Sequence, residues 1–121
     1  MRTPDPAKAG EFQSRQAPLM EALYREMCAS VPSDWDLVVL EVDVKHALPG
    51  RGTEYTLRLY NPASRRVLKD MPPAVARAAA SVHALCCEYL HLWLRGTFTV
   101  VRRDRSQFAM TLAHFDYSPL S

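Results

Sequence analysis

A chain of 121 residues fits one domain with one core, since domains of about 100 to 150 residues bury roughly two-thirds of their unfolded surface. Its 48% hydrophobic and 23% charged composition excludes a disordered, collagen-like or disulfide-scaffold chain. With 15 Lys and Arg against 13 Asp and Glu, the formal net charge of +2 is too small for the long-range footprint of a nucleic-acid binder.

Residues 1–16 hold two prolines, one glycine and scattered charges around a lone Phe12, and are expected to form a flexible N-terminal tail ahead of a single domain over residues 17–121. From Pro18, a favourable first-turn residue, Leu19, Leu23 and Met27 recur every fourth position as one apolar helical stripe. Pro32 disfavours the helical state at Val31, so this helix should end near Ser30.

Trp35 leads into an alternating segment in which Val38, Leu40, Val42 and Val44 oppose Leu37, Val39, Glu41, Asp43 and Lys45. That is a strand with one buried and one mostly wet face. Leu48-Pro49-Gly50-Arg51-Gly52 signals a reversal, and Tyr55, Leu57 and Leu59 then alternate with polar positions, completing a hairpin. Asn61-Pro62-Ala63-Ser64-Arg65 is a turn, after which Val67-Leu68 could add a brief third strand.

Met71-Pro72-Pro73 opens a long helix expected from Ala74 to about Leu94 and ended by Gly96, with Val75, Ala79, Val82, Cys86, Tyr89, Leu90 and Trp93 on one side. Thr97–Arg102 and Gln107–Phe115 make a second hairpin, with Phe98 and Val100 sharing one face and Phe108, Met110 and Leu112 sharing a face of the partner strand. The expected class is α+β: an antiparallel sheet of four to five strands in two hairpins, packed against two helices, in the order α-β-β-(β)-α-β-β.

The sequence offers few catalytic groups. Cys28, Cys86 and Cys87 are odd in number, and two are adjacent, so they read as free thiols in a reducing compartment. His83, Cys87 and His91 fall four apart on the predicted second helix in a zinc-compatible pattern, yet a structural zinc site needs a fourth ligand and no Cys-x-x-Cys is present, so no metal or cofactor is expected. Glu88 beside the cysteine pair works against a thiolate nucleophile. His46 and His114 have no carboxylate at a spacing that would make them general bases. The arginine-rich turn lacks the interleaved aromatics of base stacking, which argues against nucleic acid. The residues from Met1 to Pro6 hold no apolar signal segment, and no apolar run approaches the ~20 residues of a membrane span, so a cytoplasmic, non-enzymatic protein is expected.

Leu23-Tyr24 on the first helix, Pro32-Ser33-Asp34-Trp35 before the first strand, Thr97-Phe98-Thr99-Val100, and the closing Gln107–Tyr117 strand with Phe108, Phe115 and Tyr117 resemble the YezG-like family of bacterial immunity proteins of polymorphic toxin systems. The resemblance spans residues 18–117. It implies a stoichiometric inhibitor that binds a cognate protein toxin and needs no catalytic group of its own. The chain departs from the family's acidic character and carries Arg103-Asp104-Arg105-Ser106 where a glycine is usual, which argues against a nuclease toxin.

Aromatic and arginine side chains dominate binding hot spots, so two surfaces qualify for the partner. One is Asp34, Trp35 and Asp36 with Glu41 and Asp43 on the wet face of the first strand; the other is the turn bearing Arg102, Arg103 and Arg105. Trp35 also suits a core lid packed on the first helix. The alternative function is a secretion chaperone or adaptor binding an effector or partner peptide at a sheet edge, and such an edge could equally support a homodimer.

Overall fold

A computed structural model describes residues 6–45, 53–104 and 107–117. The elements run α1 (Pro6–Ala29), β1 (Leu37–Val44), β2 (Tyr55–Asn61), β3 (Arg66–Val67), α2 (Pro73–Glu88), β4 (Trp93–Arg102) and β5 (Phe108–Tyr117). The five strands form one antiparallel sheet in the order β3-β2-β1-β4-β5, so the two hairpins join through β1 and β4. The α+β class holds. The third strand is Arg66–Val67, paired with Asn61 and Tyr60. The expected reversal at 48–52 lies outside the described residues, as does His46.

Alternation decides which face is buried. Val38, Leu40 and Val42 of β1, Leu59 of β2, and Phe98 and Val100 of β4 are fully enclosed against α1 and α2, which pack on each other over the same side of the sheet. Leu23 and Met27 from α1 and Val75, Ala79 and Val82 from α2 complete that layer. Among the described residues, no helix is long and apolar enough to cross a membrane.

Three expectations need correction. The segment expected as a tail is helical from Pro6, and Pro18 lies inside α1 rather than at its start. An internal proline removes one backbone hydrogen bond at a cost of about 3 kcal/mol, so tertiary contacts must offset it. They are on hand: Phe12 stacks on His91 at 4.7 Å and tilts against Tyr89 at 5.1 Å, and Arg15 donates to Glu88 at 2.8 Å.

Secondly, α2 ends at Glu88 instead of near Leu94. Leu90 takes a left-handed conformation, φ 63°, and the His91 and Leu90 amides donate to the Cys86 and Cys87 carbonyls in a Schellman closure. Stopping there lets Trp93 enter from β4 and pack edge-on against His83 at 4.8 Å, a burial that continued helix would forfeit. Gly96 is therefore a strand residue, and it is needed: a Cβ there would meet the Phe98 and Trp93 rings at 3.0 and 3.1 Å.

Thirdly, Phe108 does not share a face with Met110 and Leu112. A register shift between Val101 and Arg102, opposite Met110 and Phe108, switches the parity of β5. Phe108 turns toward Tyr24 on α1, ring centroids 6.5 Å apart, while Met110 and Leu112 point to the opposite side of the sheet.

Candidate protein-binding face

The helix-free face of the sheet is built in rows by strand register. Arg58, Glu41, Thr97 and His114 form one row across β2, β1, β4 and β5; Thr56, Asp43, Arg95 and Asp116 form the next. Tyr60, Val39, Thr99 and Leu112 form the row on the other side, with Val67 beyond Tyr60. The outermost row is Leu37, Val101 and Met110. One half of the face is thus charged and the other apolar.

In the charged half every acidic candidate faces an arginine. Glu41 accepts from Arg58 at 3.1 Å directly across the β1–β2 ladder, and Asp43 accepts from Arg95 at 2.7 Å directly across β1–β4. Arg58 also lies 4.3 Å from the centroid of the Tyr60 ring, and the Tyr60 hydroxyl donates to Glu41. Such exposed pairs are screened by solvent and contribute little to stability. Their main effect is to neutralise the surface, so Glu41 and Asp43 do not make an acidic plug.

The apolar half is the less usual feature. Val67, Met110 and Leu112 are 51, 53 and 57% exposed on this same side, Val67 at the β3 edge and Met110 and Leu112 at the β5 edge. The wet face of an antiparallel sheet is normally polar, and a rimmed apolar area on it marks contact with another molecule.

Asp34, Trp35 and Asp36 of the first expected surface meet Arg102 and Arg103 of the second at one end of the sheet, because β1 begins where β4 finishes, whereas Glu41 and Asp43 lie further along β1. There Asp34 pairs with Arg66 at 3.1 Å, and the Arg66 guanidinium sits 5.7 Å from the Trp35 ring. Trp35 itself is only 2% exposed and is a core lid, with its indole Nε1 lacking a hydrogen-bond partner. Asp36 is exposed.

Arg102 is turned inward: its guanidinium donates to the carbonyls of Cys28 and Ser33, each at 3.0 Å. Arg103 is exposed and has no carboxylate partner among the described residues, and neither has Arg65 in the β2–β3 turn. Arg105 lies outside the described residues.

This chain matches no protein-family model and no curated protein.

The enzyme-like alternative centres on His83, 6% exposed, with the Tyr55 hydroxyl 2.7 Å from its Nδ1 and the Cys87 sulfur 3.5 Å from its Nε2. Burial holds the imidazole below its ordinary value and pushes the Cys86 and Cys87 thiols up. Both directions oppose the thiolate–imidazolium pair that a cysteine nucleophile requires. His114 is on the helix-free face with Asp116, 3.0 Å away, and cannot join them. His91 leaves the helix to stack on Phe12, and among the described residues no three His, Cys, Asp or Glu side chains gather as a metal site.

Sequence reasoning missed Met110, Leu112 and Val67 as surface residues. The available signal was Ala109 and Gln107 flanking Phe108, a stretch too short to reveal the register shift that turns the two residues outward.

Proposed function

We propose that this chain is a stoichiometric protein-binding module acting in the cytoplasm as an immunity protein, which sequesters a cognate toxin against the helix-free face of its sheet. The observation that carries the reading is the apolar half of that face, with Val67, Met110 and Leu112 each more than half exposed and bordered by turns carrying Arg65 and Arg103. Exposed apolar side chains accompanied by arginines are a usual make-up of a binding surface. The resemblance to the YezG-like family supplies the partner class, a protein toxin, and the near-neutral pairing of Glu41 and Asp43 favours a toxin whose contact surface is apolar and acidic rather than a basic nuclease cleft.

The test is co-expression with the product of the neighbouring upstream gene, followed by co-purification and a toxicity assay. A tight stoichiometric complex that protects the host supports the reading. Val67→Lys combined with Arg65→Glu should then weaken the complex by more than ~10-fold, about 1.4 kcal/mol, without unfolding the protein. Absence of both complex and protection overturns it.

A secretion chaperone or adaptor is the second reading, favoured by the long outer edge of β5, which offers backbone groups for strand addition. It separates from the first because an adaptor would leave its partner active.

A further inference from the structure

We infer that the outer edge of β5 pairs antiparallel with β5 of a second copy of this chain, about a two-fold axis near Leu112, joining the two sheets into one. The inference does not rest on the toxin reading.

The sheet has two edges of very different kinds. The β3 edge is two residues long and too short to template a strand. The β5 edge runs ten residues, Phe108–Tyr117, with no proline and no lysine, and among the described residues no strand pairs with its outer side. Proteins blunt long edges with charges, prolines or coverage, because unpaired N–H and C=O groups recruit another strand. Here those devices are missing from the middle of the strand, where Met110 and Leu112 stand exposed.

Nor does α1 cover the edge. Its contact with the start of β5 runs through Tyr24 and Phe108, and beside that contact a cleft of about 480 Å³ opens between helix and strand, with Met20, Glu21, Arg25 and Thr111 among its lining residues. That space leaves the strand reachable and can take the inward side chains of an added one.

Charge placement selects a second copy as occupant. Asp116, the carboxylate of β5, and its hydrogen-bond partner His114 both lie toward the C-terminal end of the strand. An antiparallel two-fold about Leu112 sets Leu112 against Leu112, and Met110 against His114, so the like charges of the two copies fall at opposite ends of the joint. The same operation carries Asp116 of one copy to the N-terminal end of β5 of the other. The adjoining β4–β5 turn there bears Arg103, which has no carboxylate partner among the described residues. Two-fold isologous dimers are the commonest closed homo-oligomers.

Sedimentation equilibrium of the full chain tests it. The wild type should show a reversible monomer–dimer equilibrium in the micromolar range. Leu112→Lys should weaken it at least ~10-fold, while Val67→Lys at the opposite end of the sheet leaves it unchanged. Should Leu112→Lys fold poorly, charge exchange provides the second test: Asp116→Arg weakens the dimer and Asp116→Arg with Arg103→Asp restores it. A wild type monomeric at every concentration overturns the inference. So does a dimer equally insensitive to Leu112→Lys and Asp116→Arg, which would assign the edge to another occupant. Because Val67→Lys strikes the proposed toxin face and spares the dimer, failure of either reading leaves the other readable.

Discussion

The guanidinium of Arg102 donates to the carbonyl oxygen of Cys28 at 3.0 Å, tying the end of β4 to the last turn of α1 across 74 residues of sequence. A second arm reaches the Ser33 carbonyl, and the Arg102 amide donates to the Asp36 carbonyl at 2.8 Å. Terminal helix carbonyls have no partner within the helix, and a cation there also opposes the helix dipole. Arg102→Ala should cost about 2 kcal/mol by denaturant midpoint, and Arg102→Lys should recover only part because it lacks the fork. Arg103→Ala should stay within about 0.5 kcal/mol. Equal effects of the two alanine variants would sink the structural role given to Arg102.

Leu90 is left-handed and 80% exposed, so its side chain contributes strain without packing. The αL conformation costs a non-glycine residue roughly 1 to 2 kcal/mol, and the added freedom of glycine in the unfolded chain returns part of that. Leu90→Gly is expected to raise stability by about 0.5 to 1 kcal/mol, read as a higher melting temperature. A lower one would mean that Leu90 makes a contact the fold depends on.

Phe12 and Arg15 hold the first half of α1 against the end of α2, upstream of the internal Pro18. Phe12→Ala should leave the global unfolding transition nearly in place and open the helix locally. Amide exchange ought to quicken across residues 8–17 while residues 19–29 stay protected, because proline decouples the two halves. Uniform loss of protection along the helix would contradict this division.

Burial holds the folded His83 imidazole below its ordinary 6.5, whereas the unfolded chain protonates near that value. As pH falls below the unfolded value the unfolded state binds the extra proton, so this component of stability is complete above it and is lost on acidification. The neutral ring and the Tyr55 hydroxyl share a hydrogen bond at Nδ1, 2.7 Å long, and a protonated ring can act in it only as donor. Wild type should therefore lose stability more steeply between about pH 7 and pH 5 than His83→Gln. Parallel curves would show that His83 is not the group responsible.

Local pattern in the sequence was enough for the class and for most faces. Alternation in Val38–Val44 and Tyr55–Leu59 named the buried sides of β1 and β2 because a strand's side chains point to opposite faces with a period of two, and the Pro72-Pro73 start of α2 needed no tertiary help. The same kind of periodicity, at helical spacing, marked Leu23 and Met27 as core. Trp35 was legible as a lid, but its companion role in seating Arg66 was not.

What the tertiary structure alone decided lies where a distant contact outweighs a local preference. Residues 6–17 read as tail because proline and glycine weigh against helix, yet Phe12 meets Tyr89 and His91 and Arg15 meets Glu88, contacts more than seventy residues away in sequence. The stretch from Tyr89 to Trp93 continues the helical period, but burying Trp93 against His83, Phe98 and Phe115 requires a strand. The partner-facing surface is of the same kind. Glu41 and Asp43 read as an acidic cluster until register set Arg58 and Arg95 opposite them, and Met110 and Leu112 were expected to share a face with Phe108 until one irregularity in the β4–β5 ladder put them on the other side. Composition and period report what each residue prefers; cross-strand pairing, which joins residues far apart in the chain, determines what each one faces.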